Sequence, residues 1–178
     1  MTSRHDTRRP SLVELGAGVF EGAGMVLMLG LVLSVFYSVV AREMLKLSVP
    51  WAEEVAAALL AWSVMMGAAG AWGLRRHIAI DIILRRIPLR ARVGLCIVIE
   101  IASLVLFAVI AKGAYFMMFA SANNHTTALG ISFTWLYLAL LVGTVAMIAF
   151  SIAYLLQLVR NGQAVLSNTE TKSEWTTS

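Results

Sequence analysis

Ser48-Val49-Pro50-Trp51-Ala52-Glu53-Glu54, then twenty uncharged residues from Val55 to Leu74, then Arg75-Arg76-His77-Ile78-Ala79-Ile80-Asp81: the reading of this stretch decides the fold. At about 1.5 Å per helical residue the uncharged run spans about 30 Å, the hydrocarbon thickness of a bilayer. It reads as a membrane crossing with marked ends. Pro50 suits a first helical turn because it has no N–H to leave unsatisfied, and Glu53 and Glu54 set negative charge at the positive end of the helix dipole. Arg75 and Arg76 stop the span at headgroup depth on the side where positive charge is favoured.

The composition agrees. Apolar residues make up 60% of the chain and charged residues 13%, against about 45–50% and 25% in soluble domains. The expected class is an all-α integral membrane protein, one bundle with no room for a separate soluble domain. The net charge of +4 does not imply nucleic acid, because the arginines flank apolar spans and serve topology. Cys96 is the lone cysteine and cannot form an intrachain disulfide.

Working outward, Gly22 to Ala41 is a second run of twenty uncharged residues, too long for a signal-peptide core of about 7–15. It reads as an uncleaved first span. Beyond the second span, Ile80, Ile83, Leu84 and Ile87 recur at helical spacing, opposite Asp81 and Arg85, and Pro88 follows. This predicts an amphipathic helix over 77–88 in the headgroup plane. A third span runs over about 93–112 and contains Glu100, and a fourth over about 133–156, with Trp135 and Tyr137 as aromatic anchors. Four transmembrane helices therefore fill a domain at 22–160. Residues 1–21 read as a cytoplasmic segment, and 161–178, rich in Ser, Thr, Asn and charge, as a disordered cytoplasmic tail.

Orientation follows from charge. With both termini cytoplasmic, the inner segments hold eleven Lys and Arg and the outer loops only Arg42 and Lys46, Lys112 being assigned to neither. The positive-inside rule favours that arrangement.

Several polar groups invite a chemical reading. Glu53 and Glu54 point about 100° apart on a helix, so they cannot serve one symmetrical site, and Arg42 can pair with either across the hairpin. Proline, tryptophan and acids also suit any interfacial helix start. His77 and Asp81 share a face at i, i+4, but two ligands are too few for a structural zinc site. Glu100 is the one carboxylate well inside a predicted span; an intramembrane acid suggests an ion site or a helix–helix contact, and near the span's end it can also reach Arg92 or Arg160. Ala57, Ala61, Gly67, Ala68 and Ala71 allow close helix approach. The histidines at 5, 77 and 125 fall outside the apolar cores, so no histidine pair is placed to hold a haem, and no nucleophile, base and acid set stands inside the membrane. We expect no catalytic site, no metal and no cofactor.

Arg42, Pro50-Trp51-Ala52-Glu53-Glu54, Gly67-Ala68-Ala69, His77-Ile78-x-Ile80-Asp81 and Ala128-Leu129-Gly130-Ile131 with Trp135, Tyr137 and Gly143 together resemble the small, four-span, DctQ-like membrane subunit of TRAP (tripartite ATP-independent periplasmic) transporters. Ser132 and Leu141 depart from it, at positions where that family often has proline. The resemblance implies a bacterial inner-membrane protein that supports a large membrane subunit, which itself holds the substrate and sodium sites. It also implies a periplasmic binding protein that delivers an organic acid to the outer loops, and structural or partner contacts at Arg42, Pro50, Trp51, Glu53, Glu54, His77, Asp81 and Trp135. A self-contained small transporter or channel is the alternative, and a membrane enzyme a more distant one. The former usually shows repeats or interrupted helices, which this chain lacks.

Overall fold

The computed structural model describes the backbone of residues 12–74 and 89–174, with side chains over 13–74 and 93–160. The described residues form four helices: α1 (Leu12–Glu43), α2 (Pro50–Gly73), α3 (Leu89–Ala120) and α4 (Thr134–Glu174). Each is long and apolar enough to cross a bilayer, over Val13–Glu43, Pro50–Gly73, Val93–Ala120 and Thr134–Arg160. The interfacial helix expected at 77–88, including His77 and Asp81, lies outside the described residues.

Three helices run well past the limits that hydropathy suggests. α1 begins at Leu12 and carries Glu14 and Glu21 within it. α3 continues through Lys112 to Ala120, the outward extension that the apolar residues 113–120 allow. α4 continues past Arg160 to Glu174, where composition leads one to expect disorder from Asn161. The reason is common to all three. A charge marks where hydrocarbon ends, whereas a helix stops only where its backbone loses its i→i−4 partners or meets a residue such as proline, and no proline occurs in these extensions.

Where the helices do end, local chemistry shows why. Pro50 opens α2 at its first turn, with no side-chain cap on Val49. Lys46 adopts φ 55°, and the Leu47 N–H reaches back to the Ala41 carbonyl at 3.1 Å. That turn reverses the chain between α1 and α2 in six residues, 44–49. Leu74 closes α2 with its N–H on the Gly70 carbonyl at 2.9 Å.

The helices pack in the order α1, α2, α4, α3, and extensive contacts join only neighbours in that order. α1 and α2 meet almost backbone to backbone. A Cβ added at Gly24 would lie 2.8 Å from the Gly67 nitrogen, and one added at Gly70 would lie 2.7 Å from the Glu21 nitrogen. Small residues let helix axes approach where bulky side chains would hold them apart. Gly24 and Gly70 are required by backbone, and Gly73 by the Cβ of Ala17, which an added Cβ would meet at 2.6 Å; Gly67 supplies the backbone that Gly24 touches, and a Cβ on Gly67 would meet nothing within 4 Å. Between α2 and α4 the same role falls to Gly143, whose added Cβ would sit 2.8 Å from Met65 Cβ.

The core forms around Ala69, Phe107 and Met147, with Phe20 and Trp72 packed against it. Trp72 stacks edge-on against Phe107, ring centroids 4.9 Å apart. Its indole N–H donates to Ser151 Oγ at 2.8 Å, and Ser151 is fully buried. Phe20 and Phe150 make a second edge-on pair at 5.9 Å. All four helices thus contribute aromatic or apolar groups at one level. In this way a mostly apolar interior acquires a fixed register, because an aromatic pair and a directional hydrogen bond tolerate little sliding.

Candidate functional site

The connections α1–α2 and α3–α4 lie at the same end of the molecule, and the polar chemistry of the described chain is concentrated there. Arg42, in the last turn of α1, sits opposite Glu53, in the first turn of α2. Its Nη2 is 2.6 Å from Glu53 Oε1, and the two side chains are 60% and 68% exposed. Of the two adjacent glutamates, Glu53 is therefore the partner of Arg42. The pair borders a groove of about 270 Å³ between the two helices, lined also by Val35, Val39, Ala52 and Ala56. Trp51 leans on Tyr37 at 5.7 Å between ring centroids, so an aromatic contact and an ion pair both close this hairpin.

Glu54 faces the other way, as the 100° step of a helix requires. Its carboxylate accepts the Ala128 N–H on Oε1 and the Leu129 N–H on Oε2, each at 2.8 Å, with the Thr127 hydroxyl 3.4 Å from Oε1. One glutamate thus closes its own hairpin while its neighbour reaches the other. Hydrogen bonds to a charged acceptor are about twice as strong as neutral ones, and here two backbone donors share one carboxylate.

The α3–α4 connection is compact. His125 pairs with Ser132 as an isolated antiparallel bridge. Between them the Gly130 N–H returns to the Thr126 carbonyl at 3.1 Å and the Thr126 N–H meets the Ile131 carbonyl at 2.9 Å. Gly130 adopts φ 65°, a left-handed conformation that glycine takes without steric cost. His125 Nδ1 lies 3.1 Å from the Gly130 carbonyl and acts as donor there, since a carbonyl can only accept.

The start of α4 is fixed by hydroxyls. Ser132 Oγ donates to Thr134 Oγ1 at 2.8 Å and accepts the Thr134 N–H at 3.2 Å, while Thr134 Oγ1 donates to the Met118 carbonyl at 3.2 Å. Ser132 therefore caps a helix start, a role for which serine is well suited. Trp135 follows in the first turn, 55% exposed. The Ser132-x-Thr134 spacing is a capping signal present in the sequence itself.

The remaining residues singled out from the sequence lie elsewhere. Glu100 is on α3 and only 3% exposed, within the helix assembly and away from the hairpin end. Cys96, the lone cysteine of the chain, is half-buried on the same helix. Among the described residues no group of three His, Cys, Asp or Glu side chains could hold a metal ion. The structure brings together Arg42 with Glu53, and Glu54 with the 126–130 turn; Pro50, Trp51 and Trp135 flank them.

Residues 31–161, well over half of the chain, match the family described as "Tripartite ATP-independent periplasmic transporters, DctQ component". No individually curated protein matches it.

Proposed function

The chain belongs to the DctQ component family of tripartite ATP-independent periplasmic transporters, and from that premise we propose that it braces the large, many-spanning subunit of such a system during sodium-coupled uptake of an organic acid. The family match carries this reading. The helix architecture supports it. α1 to α4 are continuous, and they pack through glycine backbone, aromatic edges and one buried Trp–Ser hydrogen bond. Such contacts resist rearrangement, as suits a subunit that stays still while another moves.

On this reading the hairpin end faces the periplasm, both termini are cytoplasmic, and the membrane is the bacterial inner membrane. The 44–49 and 121–133 connections are then where a soluble binding protein docks when it delivers substrate. The arginine-rich segment over 75–92, with its interfacial stripe at 77–88, holds the subunit against the cytoplasmic leaflet. Each Lys or Arg near an anionic surface contributes on the order of 1 kcal/mol to that attachment.

Reconstitution tests the assignment. The purified chain alone in liposomes is expected to move no organic acid, with or without a sodium gradient, and addition of the large subunit and the binding protein is expected to produce uptake. Ion-coupled flux from this chain by itself would overturn the proposal. Affinity purification from the native membrane gives a second check, since a supporting subunit should bring the large subunit with it.

A further inference from the structure

The backbone N–H groups of Ala128 and Leu129 converge on one carboxylate, each 2.8 Å from a different oxygen of Glu54. Successive N–H groups that point into one concavity form an anion-binding nest. Here the nest is filled by a side chain 74 residues away along the chain from Ala128. The turn around it is tight. Gly130 N–H bonds the Thr126 carbonyl at 3.1 Å, and Thr126 Oγ1 accepts the Ile131 N–H at 3.0 Å. This turn lifts Leu129 and Ile131, each 41% exposed, to the outer surface of the hairpin end. An apolar tip on a loose turn would have to be ordered by its partner at the moment of contact, which weakens binding; a tip already ordered does not carry that cost.

We propose that Glu54 is the positioning residue that fixes the Thr126–Gly130 turn, so that Leu129 and Ile131 form a preformed contact for the soluble binding protein. The proposal rests on the reading that this protein docks at the hairpin end. Glu53 provides an internal control. It is the adjacent acid on the same helix turn, and it bonds Arg42 instead of the turn.

The test uses the complex of this chain with its large subunit in nanodiscs, and the system's own purified binding protein carrying a fluorophore. Two quantities are read: amide hydrogen exchange at Ala128 and Leu129, and the dissociation constant of the labelled protein. Glu54→Gln keeps the shape but replaces one carboxylate oxygen by an amide NH₂ that cannot accept. Exchange at these two amides is expected to rise about tenfold or more, and the dissociation constant to rise about tenfold. Glu53→Gln is expected to leave exchange at these two amides unchanged, because Glu53 bonds Arg42 and not the turn.

Glu54→Ala empties the nest, so added formate is expected to slow exchange again and recover part of the binding. That recovery shows that the variant is folded. Unchanged exchange in Glu54→Gln, faster exchange with unchanged binding, or no effect of formate on Glu54→Ala would overturn the proposal. Should the wild-type complex fail to bind the labelled protein, the docking reading itself falls, and the exchange rates still decide whether Glu54 holds the turn.

Discussion

Arg42 and Glu53 approach to 2.6 Å, but their exposure, 60% and 68%, sets how much the pair contributes. Exposed ion pairs are typically worth 1 kcal/mol or less, because water already solvates both partners and ordering two long side chains costs entropy. Arg42→Ala is therefore expected to lower stability by about 1 kcal/mol or less. A double-mutant cycle with Glu53→Ala, measured by unfolding in mixed micelles, should return a coupling energy below about 1 kcal/mol. A coupling several times larger would mean that the pair is desolvated in the membrane. At this scale the sequence is informative about which residues matter and less so about what they touch. Adjacent glutamates at a helix start must diverge, and that much is legible. That Glu53 takes Arg42 while Glu54 takes the Ala128 and Leu129 amides depends on how two hairpins lie side by side, and no local pattern encodes a contact 74 residues apart.

Between helices, the deciding feature is the close approach of α1 to α2. A methyl group at Gly24 would come within 2.8 Å of the Gly67 nitrogen, whereas one at Gly22, on the same helix, would meet nothing within 4 Å. Gly24→Ala is expected to cost about 1–3 kcal/mol through overpacking, despite alanine's better helix propensity. Gly22→Ala should be neutral or stabilising. Equal effects of the two substitutions on unfolding in micelles would contradict the described packing. The existence of four apolar helices can be read from runs of about twenty apolar residues, three of them charge-free and the one in α3 interrupted by Glu100, but their full lengths cannot. Hydropathy locates the hydrocarbon slab, and the 32 residues of α1 and of α3 exceed what a slab about 30 Å thick requires. Small residues in α2 were equally visible. Which helix needs the glycine is set by the direction of each Cα–Cβ bond at the crossing, so only the three-dimensional packing singles out Gly24 and Gly70.

For the molecule as a whole, the shared end of the two hairpins makes orientation a single question with a direct check. Single cysteines at Ser48 and Asn123, in a background where Cys96 is replaced, are expected to react with an impermeant maleimide added outside intact cells; cysteines at Ser3 and Ser173 are expected to react only after lysis. Labelling of Ser3 or Ser173 from outside would invert the proposed topology. The order α1, α2, α4, α3 bears on mechanics as well. With neighbouring axes about 8–10 Å apart, and with the Phe20–Phe150 and Trp72–Phe107 ring contacts drawing together helices two places apart in that order, the file is staggered, its footprint somewhat longer than it is broad and more plank than pillar. Leaning such a plank along its length would drive whole helix ends through the hydrocarbon boundary, while leaning it across its breadth displaces little. Stiffness against tilt is then directional, and a protein seated against its broad side inherits a rail that permits rocking about one axis and opposes it about the other.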